Sequence, residues 1–82
     1  MKVHVAIFPV AGLCVQRQDF EVFLDKGSVG EMETVLFDRL GVNPFKIDAL
    51  MFLHNGQALD IDEAAVFHGG DQLWLLPRIS GG

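Results

Sequence analysis

Val3, Val5 and Ile7 fall on one side of an extended chain, and His4, Ala6 and Phe8 fall on the other. Side chains of a strand alternate with a period of two, so residues 2–8 are predicted to form a first strand. Pro9 ends it, and the run VAGLC follows as a loop. Residues 19–24 alternate again, with Phe20, Val22 and Leu24 set against Asp19, Glu21 and Phe23, which predicts a second strand antiparallel to the first. The period then changes. Lys26-Gly27 breaks the chain, and Ser28 precedes Glu31 by three residues, the capping-box spacing in which each side chain satisfies a backbone N–H of the other. Val29, Met32, Val35, Leu36 and Leu40 make one apolar helical stripe, with Glu31, Glu33, Asp38 and Arg39 on the wet side. Gly41 stops this helix in a left-handed conformation, and Asn43-Pro44 keeps the chain from resuming it.

Residues 49–54 are apolar enough for a buried third strand, and Asn55-Gly56 is a two-residue hairpin signal, because a type I′ turn needs positive φ at both positions. Residues 57–59 return as a short strand. Residues 60–67 hold one or two helical turns capped by Asp62, and His68-Gly69-Gly70-Asp71 is a turn feeding a last strand over 72–77. One main helix among about five strands places the chain in the α+β class, with a mixed sheet covered by the helix on one face.

Composition narrows the role. Eighty-two residues, half of them hydrophobic and 21% charged, fit one small domain rather than a disordered tail. No apolar stretch approaches the roughly 18–20 residues that a membrane span requires, so no membrane partner is expected. A net charge of −5 argues against nucleic acid, whose phosphates need a basic face. The single cysteine, Cys14, cannot form an internal disulfide, which fits a reducing cytoplasm. The first residues do not read as a signal peptide, since His4 interrupts the apolar run and its removal would strip a core strand.

The element order is that of the β-grasp, and the segment GGDQLWLLPRISGG resembles the C-terminus of the ubiquitin-like sulfur carriers, the small subunit of molybdopterin synthase and the thiamine sulfur carrier. Gly70-Asp71, residues 73–76 and Gly81-Gly82 occupy the family's turn, apolar strand and terminal Gly-Gly, and Asn55-Gly56 matches its hairpin. The resemblance implies a β-grasp domain over 1–77 and a flexible tail over 78–82. It also implies that Gly82 is adenylated and then attacked by a sulfur donor, leaving a thiocarboxylate, with Gly81 letting the tail thread a narrow channel because it has no Cβ. The implied partners are an E1-like adenylating enzyme that uses ATP, a sulfurtransferase or cysteine desulfurase, and a molybdopterin synthase large subunit or another sulfur acceptor enzyme. The chain itself would be no enzyme and bind no cofactor. Leu76-Pro77 resembles the molybdopterin type more than the thiamine type, while Arg78-Ile79 departs from both, and tungsten cofactor would serve as well as molybdenum. Sulfur transfer to thiamine, an amino acid or a tRNA base stays open, as do protein modification through Gly82 and a plain interaction module whose glycine end is incidental.

If Leu73 and Leu75 face the helix, Trp74 and Leu76 turn outward beside Phe8 and Phe52, forming an apolar partner-docking patch. Arg78 either meets an acidic rim or is solvated. Cys14 has no adjacent cation to activate its thiol and is expected to be inert. His4, His54 and His68 lack the spacing of a zinc site, so no metal is expected, and Asp60, Asp62 and Glu63 fit capping and solvation better than acid–base work.

Overall fold

The computed structural model describes residues 1–10, 13–59 and 66–78. It shows five strands, β1 (Lys2–Ile7), β2 (Gln18–Phe23), β3 (Leu50–His54), β4 (Gln57–Ala58) and β5 (Gln72–Pro77), with one α-helix among the described residues, α1 (Val29–Leu40). Of the helical turns expected at 60–67, residues 60–65 lie outside the described residues, as do 79–82, and Val66 forms a β-bridge with Ser28 instead of a helical turn.

The sheet order is β2-β1-β5-β3-β4. β1 runs parallel to β5, and the other neighbours are antiparallel. Only a crossover can join parallel neighbours, so α1 lies against one face while the chain passes from one side of the sheet to the other. Val3, Val5 and Ile7 of β1, Phe20 and Val22 of β2, and Leu73 and Leu75 of β5 pack there with Met32 and Leu36 of α1. Each such fully buried aliphatic side chain contributes about 1.5–3 kcal/mol.

Ser28 caps α1 as expected, its Oγ accepting the Glu31 N–H at 3.0 Å. The reciprocal half differs from the capping box. The Glu31 carboxylate accepts from the N–H groups of Asp25, Lys26 and Gly27, so it ties down the whole turn before the helix. The Asp25 N–H, chief among the three, lowers the Glu31 pKa against a weaker opposing effect of desolvation. Gly27 has φ 77°, and a Cβ there would collide with the carbonyl oxygen of Phe67, whose N–H donates to the Gly27 carbonyl at 2.7 Å. At the other end Gly41 is left-handed, and its N–H closes on Phe37 O at 2.8 Å.

Two expectations change. Gly41 ends α1 and the α-helix does not resume at Asn43-Pro44, but Asn43 caps a 3-10 turn, Pro44–Lys46, accepting the Phe45 N–H at 3.0 Å, with Pro44 and Phe45 buried. β3 is not a buried strand. Only Leu50 is sealed from water and the next four residues are half-buried, because β3 is flanked by a β4 of just two residues. The Asn55-Gly56 turn stands as read, with φ of 53° and 85°.

Candidate functional site

β5 carries the stem of the expected tail and sits at the middle of the sheet, bonded to β1 on one side and β3 on the other. Leu73 and Leu75 are fully buried under α1, so Trp74 and Leu76 lie on the open face, as the alternation predicts. The ladder extends one residue beyond Pro77. Arg78 N–H donates to Ala49 O at 2.7 Å, and its guanidinium reaches Leu50 O at 3.3 Å. Arg78 is therefore pinned to the start of β3 rather than merely solvated, and the sheet holds the chain up to 78, one residue past the expected boundary. Gly81 and Gly82 lie outside the described residues.

On the open face the rings of Phe8 and Trp74 meet at 5.5 Å with a 60° tilt, the edge-on arrangement that aromatic quadrupoles favour. The Arg17 guanidinium lies 4.8 Å from the centre of the Phe8 ring and binds Asp19 through Nε at 2.9 Å. His4 Nε2 meets the other Asp19 oxygen at 3.0 Å. Arg17 first, and His4 after it, lower the Asp19 pKa. Ala6 pairs with Trp74 on this same face and is wholly buried, so the aromatic pair covers the strand beneath it.

Phe52 is not part of this patch. It pairs with Leu75, which places it on the helix side, and its ring packs on Phe45 at 4.6 Å. Leu53, opposite Trp74, and Met51, opposite Leu76, stand on the open face instead. The patch is thus Phe8, Trp74, Leu76, Met51 and Leu53, half-buried throughout. The missed residues carry the same apolar signal as Phe52, and only the register between β3 and β5 separates the two sets. Phe52 lines a cavity of about 350 Å³ on the other side, with Phe45, Ile47, Leu59, Asp48 and Arg78.

Asp71 is a further residue whose environment the sequence does not disclose. His54 Nε2 bonds its carboxylate at 2.7 Å and the His68 N–H donates to it at 2.8 Å, while Asn55 Oδ1 accepts the Gln72 N–H at 2.8 Å. Burial pushes the Asp71 pKa up, but the bonds from His54, His68 and Asn55 outweigh it and hold the value at about 2. The His54 ring also packs on Phe67 at 4.6 Å. This knot joins the β3–β4 turn to the entry of β5 and sets where the last strand begins. Among the described residues, no group of three His, Cys, Asp or Glu side chains is gathered as a metal ion would need. The acids Asp60, Asp62 and Glu63 lie outside the described residues. Cys14 is buried with its Sγ 3.4 Å from Phe8 O, and no described helix is long and apolar enough to cross a membrane.

No protein-family model and no curated protein matches the chain. Solved structures do. SAMP1 from Haloferax volcanii superposes with a TM-score of 0.71 at 25% identity, covering 100% of both chains. A second structure of that small archaeal modifier protein 1 gives 0.68 at 23% identity, over 95% of this chain and 98% of the other. A chain from the complex of subunits 1 and 2 of molybdopterin-converting factor from Helicobacter pylori 26695 gives 0.69 at 20% identity, again over 100% of both. The chain is a ubiquitin-like β-grasp protein. Two of these matches span 100% of this chain, and Gly70-Asp71, residues 73–76 and the hairpin Asn55-Gly56, which carry the sequence resemblance, lie in the turns and strands of that fold. These neighbours are a small modifier and a factor subunit.

Proposed function

We propose that this β-grasp protein is a sulfur carrier that works through the carboxyl group of Gly82. The observation that supports it is the full-length match to a modifier and to a molybdopterin-converting factor subunit, joined to a Gly81-Gly82 pair only a few residues beyond the point where Arg78 leaves the sheet. A Gly82 carboxylate oxygen would attack the α-phosphorus of ATP on an E1-like enzyme, with pyrophosphate leaving. The outer sulfur of a persulfide on a sulfurtransferase or cysteine desulfurase would then displace AMP to give an acyl disulfide. A thiol of the partner enzyme would cleave its S–S bond, leaving a disulfide and releasing the thiocarboxylate, and the thiocarboxylate would donate sulfur within a larger partner such as a molybdopterin synthase large subunit. In this reading the chain supplies no acid, base or metal. It supplies a rigid stem, β5, gripped on both sides, and a docking face of Phe8, Trp74, Leu76, Met51 and Leu53 that aligns the tail with the partner's catalytic groups.

A second reading, covalent attachment of Gly82 to lysines of other proteins, is favoured by the likeness to a small archaeal modifier protein. Intact-mass analysis of protein from its native host tests both. Exchange of one oxygen for sulfur at Gly82 supports the carrier, and lysine-linked conjugates support the modifier. Neither signal, with cofactor synthesis unimpaired after deletion of Gly82, would sink both readings.

A further inference from the structure

β2 forms one edge of the sheet, and the backbone bonding shows which of its groups face outward. Leu24 N–H donates to Met1 O at 2.8 Å, and the Met1 amine donates to Leu24 O at 2.7 Å, so Met1 and Leu24 are a doubly bonded pair. Such pairs alternate along an antiparallel ladder, which makes Val3–Val22, Val5–Phe20 and Ile7–Gln18 the bonded pairs between β1 and β2. The N–H and C=O groups of Asp19, Glu21 and Phe23 therefore point away from β1. Among the described residues nothing pairs with them.

The side chains beside this edge have a definite chemistry. Asp19, Glu21 and Phe23 share the open face, and the Phe23 side chain is conspicuously bare, with 72% of its surface exposed. Asp19 is already bonded to Arg17 and His4, whereas Glu21 has only Lys2, at 3.3 Å. A second copy of this chain fits poorly. Antiparallel self-pairing centred on β2 sets Glu21 against Glu21, or Asp19 against Glu21, and like charges directly opposite are destabilising. Glu21 and Lys2 form an exposed pair, which is worth little, so a lysine or arginine on an added strand can take or share the Glu21 carboxylate.

We propose that the free edge of β2 is a second docking site, which takes an extended basic segment of another protein as an added antiparallel strand. Reading from its N-terminus, the segment places an apolar residue against Phe23, a lysine or arginine against Glu21, and a second cation or polar residue against Asp19. Main-chain bonds to Asp19, Glu21 and Phe23 provide affinity, and the alternating side chains provide selectivity. β1 separates this edge from β5, so a partner held here does not cover β5.

Amide hydrogen exchange followed by NMR on the full chain tests this, with a synthetic peptide, Ser-Val-Thr-Lys-Thr-Lys-Ser, as the probe. At saturation the amides of Asp19, Glu21 and Phe23 slow by about tenfold or more, while those of Phe20 and Val22, already bonded to β1, change little. Replacing the peptide lysines with glutamate abolishes the protection, and Glu21→Lys in the protein restores it with the glutamate peptide. A chain lacking Gly82 binds the lysine peptide equally well, which separates this site from the chemistry of the tail. Absence of protection overturns the proposal. So does protection that ignores the peptide's charge, protection that grows with protein concentration alone, or perturbation confined to Trp74 and Leu53.

Discussion

On the helix side of the sheet Val3, Val5, Ile7, Leu73 and Leu75 lose all contact with water, while on the other side Phe8, Trp74, Leu76, Met51 and Leu53 keep part of theirs. Within β5, Leu73 and Leu75 differ from Trp74 and Leu76 only in parity. The helix-side set meets a second layer, α1, whose Met32 and Leu36 close over it; among the described residues no such layer covers the open-face set. Ala6 marks the contrast, since it belongs to the open face yet is sealed beneath the Phe8–Trp74 pair. An apolar face without a covering layer is thus partly self-covered, which limits its cost in water and leaves large groups available to a partner.

Substitutions at neighbouring positions of β5 are the most direct way to break this comparison. Leu75→Ala opens a cavity under α1 and is expected to cost about 3–4 kcal/mol, and Leu76→Ala, one residue on, about 1 kcal/mol or less. Equal losses in urea denaturation would mean that the two faces are not energetically distinct. Gly27→Ala follows at about 2–3 kcal/mol, because it meets both a positive φ and the Phe67 carbonyl that closes the edge of the helix-side core.

Asp71 tests the seam between the β3–β4 turn and β5. Its folded pKa of about 2 lies below the ordinary 3.8, so its contribution is present above pH 4 and is lost as pH falls through 2. Asp71→Asn is expected to cost about 1–2 kcal/mol near neutral pH, with the difference from the natural chain vanishing toward pH 2. Denaturation midpoints measured across that range check the sign. Gly41→Ala should cost about 1 kcal/mol, since the position has φ 77° but open space around it, and thermal unfolding reads this. Smallest in stability, Leu53→Ala on the open face should cost at most about 1 kcal/mol, yet slow sulfur loading of Gly82 by a cognate adenylating enzyme. Loading at the natural rate would remove the docking role from that face.

Elements with local causes were legible in the chain. Alternation marks β1 and β2, the turn over 68–71 marks the entry of β5, the stripe from Val29 to Leu40 marks α1, and Ser28, Gly41 and Asn55-Gly56 mark ends and turns through their own backbone chemistry. The 3-10 turn after Asn43 escaped, because Pro44 forbids a continuing α-helix but not a single tighter turn. The open-face patch was half legible. Phe8 beside Trp74 needs only adjacent strands of known parity, whereas choosing Phe52 over Leu53 requires the register of β3 on β5. A slip of one residue exchanges the faces of a whole strand, and both faces of β3 are apolar, so nothing local opposes the wrong choice.

The sequence by itself therefore determined the order of elements, the helix caps, the hairpin and the Gly81-Gly82 motif, each specified by residues within a few positions of one another. Tertiary structure decided which β3 side chains join Trp74, what holds the Asp71 carboxylate, where Arg78 is tied, and which groups of β2 face outward. These depend on pairings between distant segments, and pairing is set by how the layers close over a shared core rather than by any one stretch of chain.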